Sequence, residues 1–326
     1  MVNSEPIPLK EMEPSRIISI DVFRGFLIPL MTFVNTTSYF DNTPLWLRHV
    51  NGIGLTITDL VAPFFIFAIG LTYKMVHYKN ENLRTLDRVL RTLRRYLALF
   101  GMGMLSSLRF PGGVPTFNWD TLAYIGLAGC LTISVIEFSW KIRLIVVCLL
   151  SIGYQVVIEL FIGDIIAMQI EGGLYGVASW TCMLILGTIL AESISKKKFM
   201  NFLYFGLILL VTGIIMHFLF DKMGLIGVSR KWVSIPFVYV SIGLASCLYT
   251  LFWFIFDYKQ LKFPVGILGR NPLFLFIMQG ILTAFIVPLF PQTLHLAWII
   301  LIAVFNVLIV GVIGFILNIR KIYIRF

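Results

Sequence analysis

The chain has 326 residues, 59% of them hydrophobic and 13% charged, against about 25% charge in an ordinary soluble domain. With a mean hydropathy of +0.92, this excludes a soluble globular enzyme. It points to an all-α, multi-pass integral membrane protein, because the apolar runs are too long and too little interrupted for barrel strands.

The formal net charge of +10 does not indicate a nucleic-acid partner. The basic residues sit in short stretches between apolar runs, where the orientation rule for membrane helices accounts for them. Cys130, Cys148, Cys182 and Cys247 all lie within apolar runs and make neither a CxxC nor a zinc spacing, and no two histidines are spaced as ligands, so no metal is expected.

In chain order, residues 1–15 are polar and carry three glutamates. They read as a cytoplasmic segment ahead of a single transmembrane domain that makes up the rest of 1–326. The run after them has no small-residue cleavage site, so it is expected to remain as a helix. Ten spans follow, near 17–35, 57–77, 93–109, 121–138, 142–162, 175–193, 199–220, 233–256, 264–288 and 296–318, each long enough for about 30 Å of hydrocarbon. If the N-terminus is cytoplasmic, nineteen of the 26 Lys and Arg residues fall on the inner side and five outside. That bias places both termini inside.

The first third holds the unusual residues. Span 1 carries Asp21 and Arg24, three apart on one helix face and able to pair, then Pro29, and Asn35 at its outer end. The outer loop holds His49. Span 2 carries Asp59 with Pro63 four residues on, a proline that frees the Asp59 carbonyl and favours a kink. Charged residues in mid-span cost about 2.5–3.5 kcal/mol each on insertion scales, so a function is their default explanation. Asn35, His49 and Asp59 could meet in the outer half of the membrane. A histidine can take a proton from an amine or hydroxyl, a carboxylate can fix its tautomer, and an amide can donate to a developing oxyanion.

Between spans 2 and 3, Arg84, Arg88, Arg91 and Arg95 recur at i, i+4, i+7 and i+11 and form one helical stripe. The stripe reads either as a positive helix resting on anionic membrane lipid or as a surface for phosphates. Further on, Asn118 and Asp120 sit at an outer mouth. Gln155 and Glu159 are one turn apart, with Glu159 read as solvated. The stretch 163–176 reads as re-entrant or loose. His77, His217 and His295 read as interfacial, as do Trp46, Trp119 and Trp232. At the start of span 9, Arg270 either snorkels or joins the basic surface, and Asn271 with Pro272 reads as a helix cap and first turn.

The order SIDVFRGFLI, a VN ending span 1, an LxHxxxxGxT loop and TDLVxPFFxFxxG resembles the transmembrane acyltransferases related to heparan-alpha-glucosaminide N-acetyltransferase. Weaker similarity extends to WxSxPFVY in span 8 and LGRNPLFLFIMQ in span 9. The resemblance implies an acetyl-CoA-dependent enzyme that takes the acetyl group from the cytoplasm to an amino sugar or other glycan on the far side. By motif, His49 corresponds to the active histidine, as base or transient acyl acceptor, with Asn35 and Asp59 as its associates. Arg24, Arg84, Arg88, Arg91, Arg95 and Arg270 are then the candidate donor-binding residues. The expected location is a bacterial cytoplasmic membrane, and dimerisation is left open. The competing reading is a solute transporter with a polar path lined by spans 1 and 2.

Overall fold

The computed structural model describes residues 17–78, 84–109, 116–117, 119–167, 169, 171–195, 199–261 and 264–324. The polar segment 1–15 and Asn118 lie outside them. Eleven α-helices dominate the described residues: α1 (Ile18–Thr37), α2 (Ile57–His77), α3 (Thr85–Ser106), α4 (Thr121–Ile136), α5 (Trp140–Val157), α6 (Gly163–Ala167), α7 (Gly173–Ser195), α8 (Phe199–Lys222), α9 (Ile235–Trp253), α10 (Pro272–Ile286) and α11 (Leu296–Ile319). Two strands of two residues, β1 (Leu108–Arg109) and β2 (Thr116–Phe117), pair antiparallel after α3. The protein is an all-α polytopic membrane protein. The ten longer helices occupy the ten expected spans, and eight are both long and apolar enough to cross a bilayer, α5, α9 and α10 being counted with the π or 3-10 turns that continue them to Phe161, Tyr258 and Leu289. The other two are α4, which has 16 residues, and α3, whose first turns carry the arginines. Among the described residues α3 runs unbroken from the arginine stripe into the apolar stretch, so the stripe and span 3 share one helix.

Helix α7 is the central post. It is buried along most of its length and packs on α2, α4, α5, α8 and α9. Its crossing with α2 is close because Gly70 meets Gly187, where a Cβ on Gly70 would lie 2.8 Å from the Gly187 Cα. Helices α5, α8 and α11 sit at the periphery and expose large apolar side chains such as Leu149, Ile208 and Phe305. On a membrane protein this is the lipid-facing surface.

Several charges counted as orientation signals are spent inside the bundle. Arg143 is fully buried. It donates to the Phe138 carbonyl at 3.2 Å, to Thr188 at 2.6 Å and to Glu192, which also pairs with Lys74 at 2.9 Å. His77 is buried rather than interfacial. Its ring lies 2.9 Å from Thr92 on α3 and 3.1 Å from Glu137 at the end of α4. Tyr78 donates to the same carboxylate, and Arg88 stands 3.7 Å from it. A buried charge without a partner would cost several kcal/mol; here the pairs tie α2, α3, α4, α5 and α7 together at the end of α2 away from Asp59.

Candidate active site

Helix α2 begins where it does because Asp59, its third residue, reaches back to accept the Thr56 N–H at 3.1 Å. A carboxylate in the first turn also suits the helix dipole. Asp59 Oδ2 further accepts the Val50 N–H at 3.4 Å and lies 2.9 Å from the Thr56 hydroxyl. Its Oδ1 lies 2.8 Å from His49 Nδ1. The Asp59 side chain is 0% exposed and the His49 side chain 32%. A carboxylate only accepts, so Nδ1 carries the ring proton and Nε2 keeps its lone pair. The outcome is an oriented imidazole with a basic nitrogen on the less buried side of the pair.

Two residues absent from the sequence-based candidates complete the pair's surroundings. Arg230 Nη1 stands 3.8 Å from Asp59 Oδ1, while its Nε donates to Glu171 at 3.1 Å and its Nη2 also bonds Glu171. Glu171 is 4% exposed and adopts φ 51°. The loop carrying Arg230 is stitched to the loop after His49: the Gly54 N–H donates to the Val228 carbonyl at 2.7 Å and the Ser229 hydroxyl to Gly52 at 2.6 Å. The signal that could have found Arg230 is its position. It is one of the few arginines on the side where the charge bias leaves little positive charge.

Glu159 also has a structural task. It accepts from Gln155 at 2.7 Å and from the Ile226 N–H at 2.7 Å, while Gln155 accepts from Ile235 at 3.0 Å. Glu159 therefore pins this second loop rather than standing in solvent. His217 likewise accepts the Val228 N–H at 3.2 Å, and His295 caps α11. The expected loose stretch 163–176 contains helix α6 and the first turn of α7.

Asn35 is not joined to this pair by a hydrogen bond among the described residues. Its Nδ2 faces Gln279 of α10 at 3.4 Å. Gln279 lies one turn beyond Phe276, whose ring meets Phe65 of α2 edge to face at 5.7 Å.

Those two rings belong to the wall of a cavity of about 600 Å³ that opens between α1, α2, α3, α4 and α10. Of the six candidate donor-binding arginines, Arg24, Arg95 and Arg270 line it, together with Asp21 and Thr72. Arg24 donates to Thr72 and, at 3.2 Å, to the Ala68 carbonyl, which holds it against α2. Arg270 is brought in by Gly269. A Cβ there would fall 1.8 Å from the Asp21 carbonyl oxygen, so only glycine lets the 3-10 helix Pro264–Arg270 lie against α1. Arg84, Arg88 and Arg91 are not in the cavity wall. They precede Arg95 on α3, and at 1.5 Å per residue Arg84 sits about 16 Å further along the axis. Arg88 is engaged by Glu137 and lies over the Tyr78 ring at 5.2 Å.

The cavity's nearest approach along α2 to the His49–Asp59 pair is Phe65, six residues and about 9 Å from Asp59. One end of the bundle thus holds a cationic cavity, and the other holds an oriented imidazole. No group of three or more His, Cys, Asp or Glu able to hold a metal occurs among the described residues.

The comparisons with known proteins point to one family. The family model described as "Heparan-alpha-glucosaminide N-acetyltransferase, catalytic" matches residues 16–205. Human heparan-alpha-glucosaminide N-acetyltransferase is 42% identical over 57 residues, which cover 18% of this chain and 8% of that protein. The mouse protein of the same name is 39% identical over 56 residues, covering 17% and 8%. The matched stretch thus spans less than a tenth of either relative. The family model takes in more than half of the chain, and the chain belongs to the family of the heparan-alpha-glucosaminide N-acetyltransferase catalytic domain.

Proposed function

We propose that this membrane acetyltransferase moves an acetyl group from cytoplasmic acetyl-CoA, held in the arginine-lined cavity, to an amino sugar or other glycan at the opposite face. The charge bias of the sequence supports a cytoplasmic cavity and an outer His49. The observation that carries the reading is the 2.8 Å contact between His49 Nδ1 and the buried Asp59, which leaves Nε2 as a base.

In direct transfer, the acceptor nitrogen or oxygen attacks the thioester carbonyl carbon and His49 Nε2 takes its proton. The C–S bond then breaks, and the CoA thiolate leaves and is protonated. In the two-step alternative, Nε2 itself attacks and holds the acetyl group until the acceptor displaces it. Asp59 orients the ring and balances its positive charge, and Asn35 binds the acyl or acceptor oxygen once freed from Gln279. Arg24, Arg95 and Arg270 face the phosphates of the donor, as guanidiniums suit them.

The test is CoA release from acetyl-CoA with glucosamine present, by the purified protein and by His49→Ala. The variant is expected to lose release to the background. Equal rates in the two would remove His49 from the chemistry.

A further inference from the structure

The segment after α11 does not leave the bundle. Lys321 turns at φ 54°, with its own N–H on the Asn318 carbonyl at 3.1 Å and the Ile322 N–H on the Leu317 carbonyl at 2.9 Å. This turn ends the helix with a left-handed residue and sends the chain back over the bundle. Asn271, read from sequence as a helix cap, makes no capping bond. It is 2% exposed, and it grips the returning chain at two points. Its Nδ2 donates to the Ile322 carbonyl at 2.9 Å, and its Oδ1 accepts the Ile324 N–H at 2.9 Å. A buried amide that satisfies both backbone groups of an extended segment acts as one rung of a sheet.

The gripped residues finish the cavity. Tyr323 and Ile324 are part of its wall, beside Arg270 and Arg95. The Tyr323 hydroxyl accepts from Arg270 at 3.4 Å, and Arg270 also donates to Asn318 at 2.7 Å. Tyr323 remains 41% exposed, so its ring has room for a partner. An aromatic ring next to guanidiniums suits a nucleotide, with the base on the ring and the phosphates on the arginines. We propose that residues 321–324, clamped by Asn271, form the mouth of the donor cavity, and that Tyr323 receives the adenine of acyl-CoA while Arg270 and Arg95 take its phosphates. This rests on the acyl-CoA reading above and adds the residues that recognise the nucleotide half.

The experiment measures binding of CoA and of adenosine 3′,5′-bisphosphate to the full chain in nanodiscs of zwitterionic lipid, for wild type, Tyr323→Ala, Tyr323→Phe and Asn271→Ala. Tyr323→Ala is expected to weaken both ligands by about tenfold, within the range for loss of one stacked base. Tyr323→Phe should stay within about threefold of wild type, and Asn271→Ala should weaken binding by releasing the segment. If wild type binds neither ligand, the donor reading itself falls. If wild type binds and Tyr323→Ala binds as well, the donor reading stands and the role of Tyr323 is overturned. Tyr323→Phe failing as badly as Tyr323→Ala would overturn the stacking role.

Discussion

Replacing Asp59 with asparagine tests the proposed chemistry with little change of shape. In the wild type the two carboxylate oxygens have different tasks: Oδ2 takes the Thr56 and Val50 N–H groups, and Oδ1 faces His49 Nδ1 at 2.8 Å. An asparagine must keep its carbonyl where the two backbone donors point, which turns its NH₂ toward Nδ1. Nδ1 then has to accept, so the ring proton moves to Nε2 and the basic lone pair no longer faces the substrate. The change is also to a neutral side chain, so a developing imidazolium loses its counter-charge. A wrong tautomer at a histidine–aspartate pair costs about 10⁴ in kcat, or about 5.4 kcal/mol at 1.36 kcal/mol per decade. Asp59→Asn is therefore expected to lower kcat by about 10³- to 10⁴-fold in thiol-release assays with saturating acetyl-CoA. KM for the donor should change little, because the cavity wall starts about 9 Å away. A variant that melts like the wild type and retains kcat within about tenfold would refute the role given to the pair.

Other outcomes test the donor end and the bundle. Arg95→Ala, which removes a guanidinium from the cavity wall, should raise KM for acetyl-CoA about tenfold, as expected for one charge-assisted bond. Arg84→Ala, outside the wall, should leave it unchanged in the same initial-rate series. Gly269→Ala would place a Cβ 1.8 Å from the Asp21 carbonyl oxygen; a thermal melt should show destabilisation of about 1–3 kcal/mol, with weaker CoA binding by calorimetry. Glu137 is held below the usual carboxylate range, first by the hydrogen bond from Tyr78, with His77 and Arg88 adding to it. Tyr78 itself is pushed up to about 12, chiefly by burial, and so stays a neutral donor. A depressed carboxylate stabilises the fold above its unfolded pKa and loses that contribution as pH falls through the folded value. The melting-temperature gap between wild type and Glu137→Gln should therefore be full at neutral pH and close in acid, and a gap that persists at low pH would contradict the assignment.

Hydrophobic run length makes the spans legible in the sequence, because a bilayer imposes nearly the same length on every helix. The His49–Asp59 pairing is legible for a local reason. The two residues lie ten apart, one in a short loop and one in the first turn of the helix that follows, so a single turn of chain brings them together. Arg230 and Glu171 are not legible in this way. Arg230 reaches Asp59, and Glu171 reaches Arg230, from loops more than a hundred residues on, and only the packing of α7 and α9 against α2 determines that they meet. Asn35 shows the limit of reading depth alone. It sits near the same end as Asp59, but rotation of α1 turns it to α10 and Gln279. The arginine stripe misleads in the opposite sense. Helical periodicity places four guanidiniums on one face, but the cavity ends after one of them, and periodicity carries no information on how far a helix projects beyond its neighbours.

The transport alternative and the transferase reading make different demands on the space between the two ends. A transporter has to pass its whole solute, so its polar path must connect both faces in alternation. The cavity wall carries the charged groups Asp21, Arg24, Arg95 and Arg270. Toward Asp59 its wall becomes Phe65 and Phe276 in edge-to-face contact, with the Asn35–Gln279 contact one turn beyond. A charged or strongly hydrated solute would have to shed its water against those rings. An acetyl group on a thioester is small, neutral and partly apolar, and it can enter such a passage while the anionic nucleotide stays with the arginines. On the proposed transferase reading, an apolar stretch between the two ends would keep the bulk of the donor at one face and admit only the part that reacts, which a transported solute could not exploit.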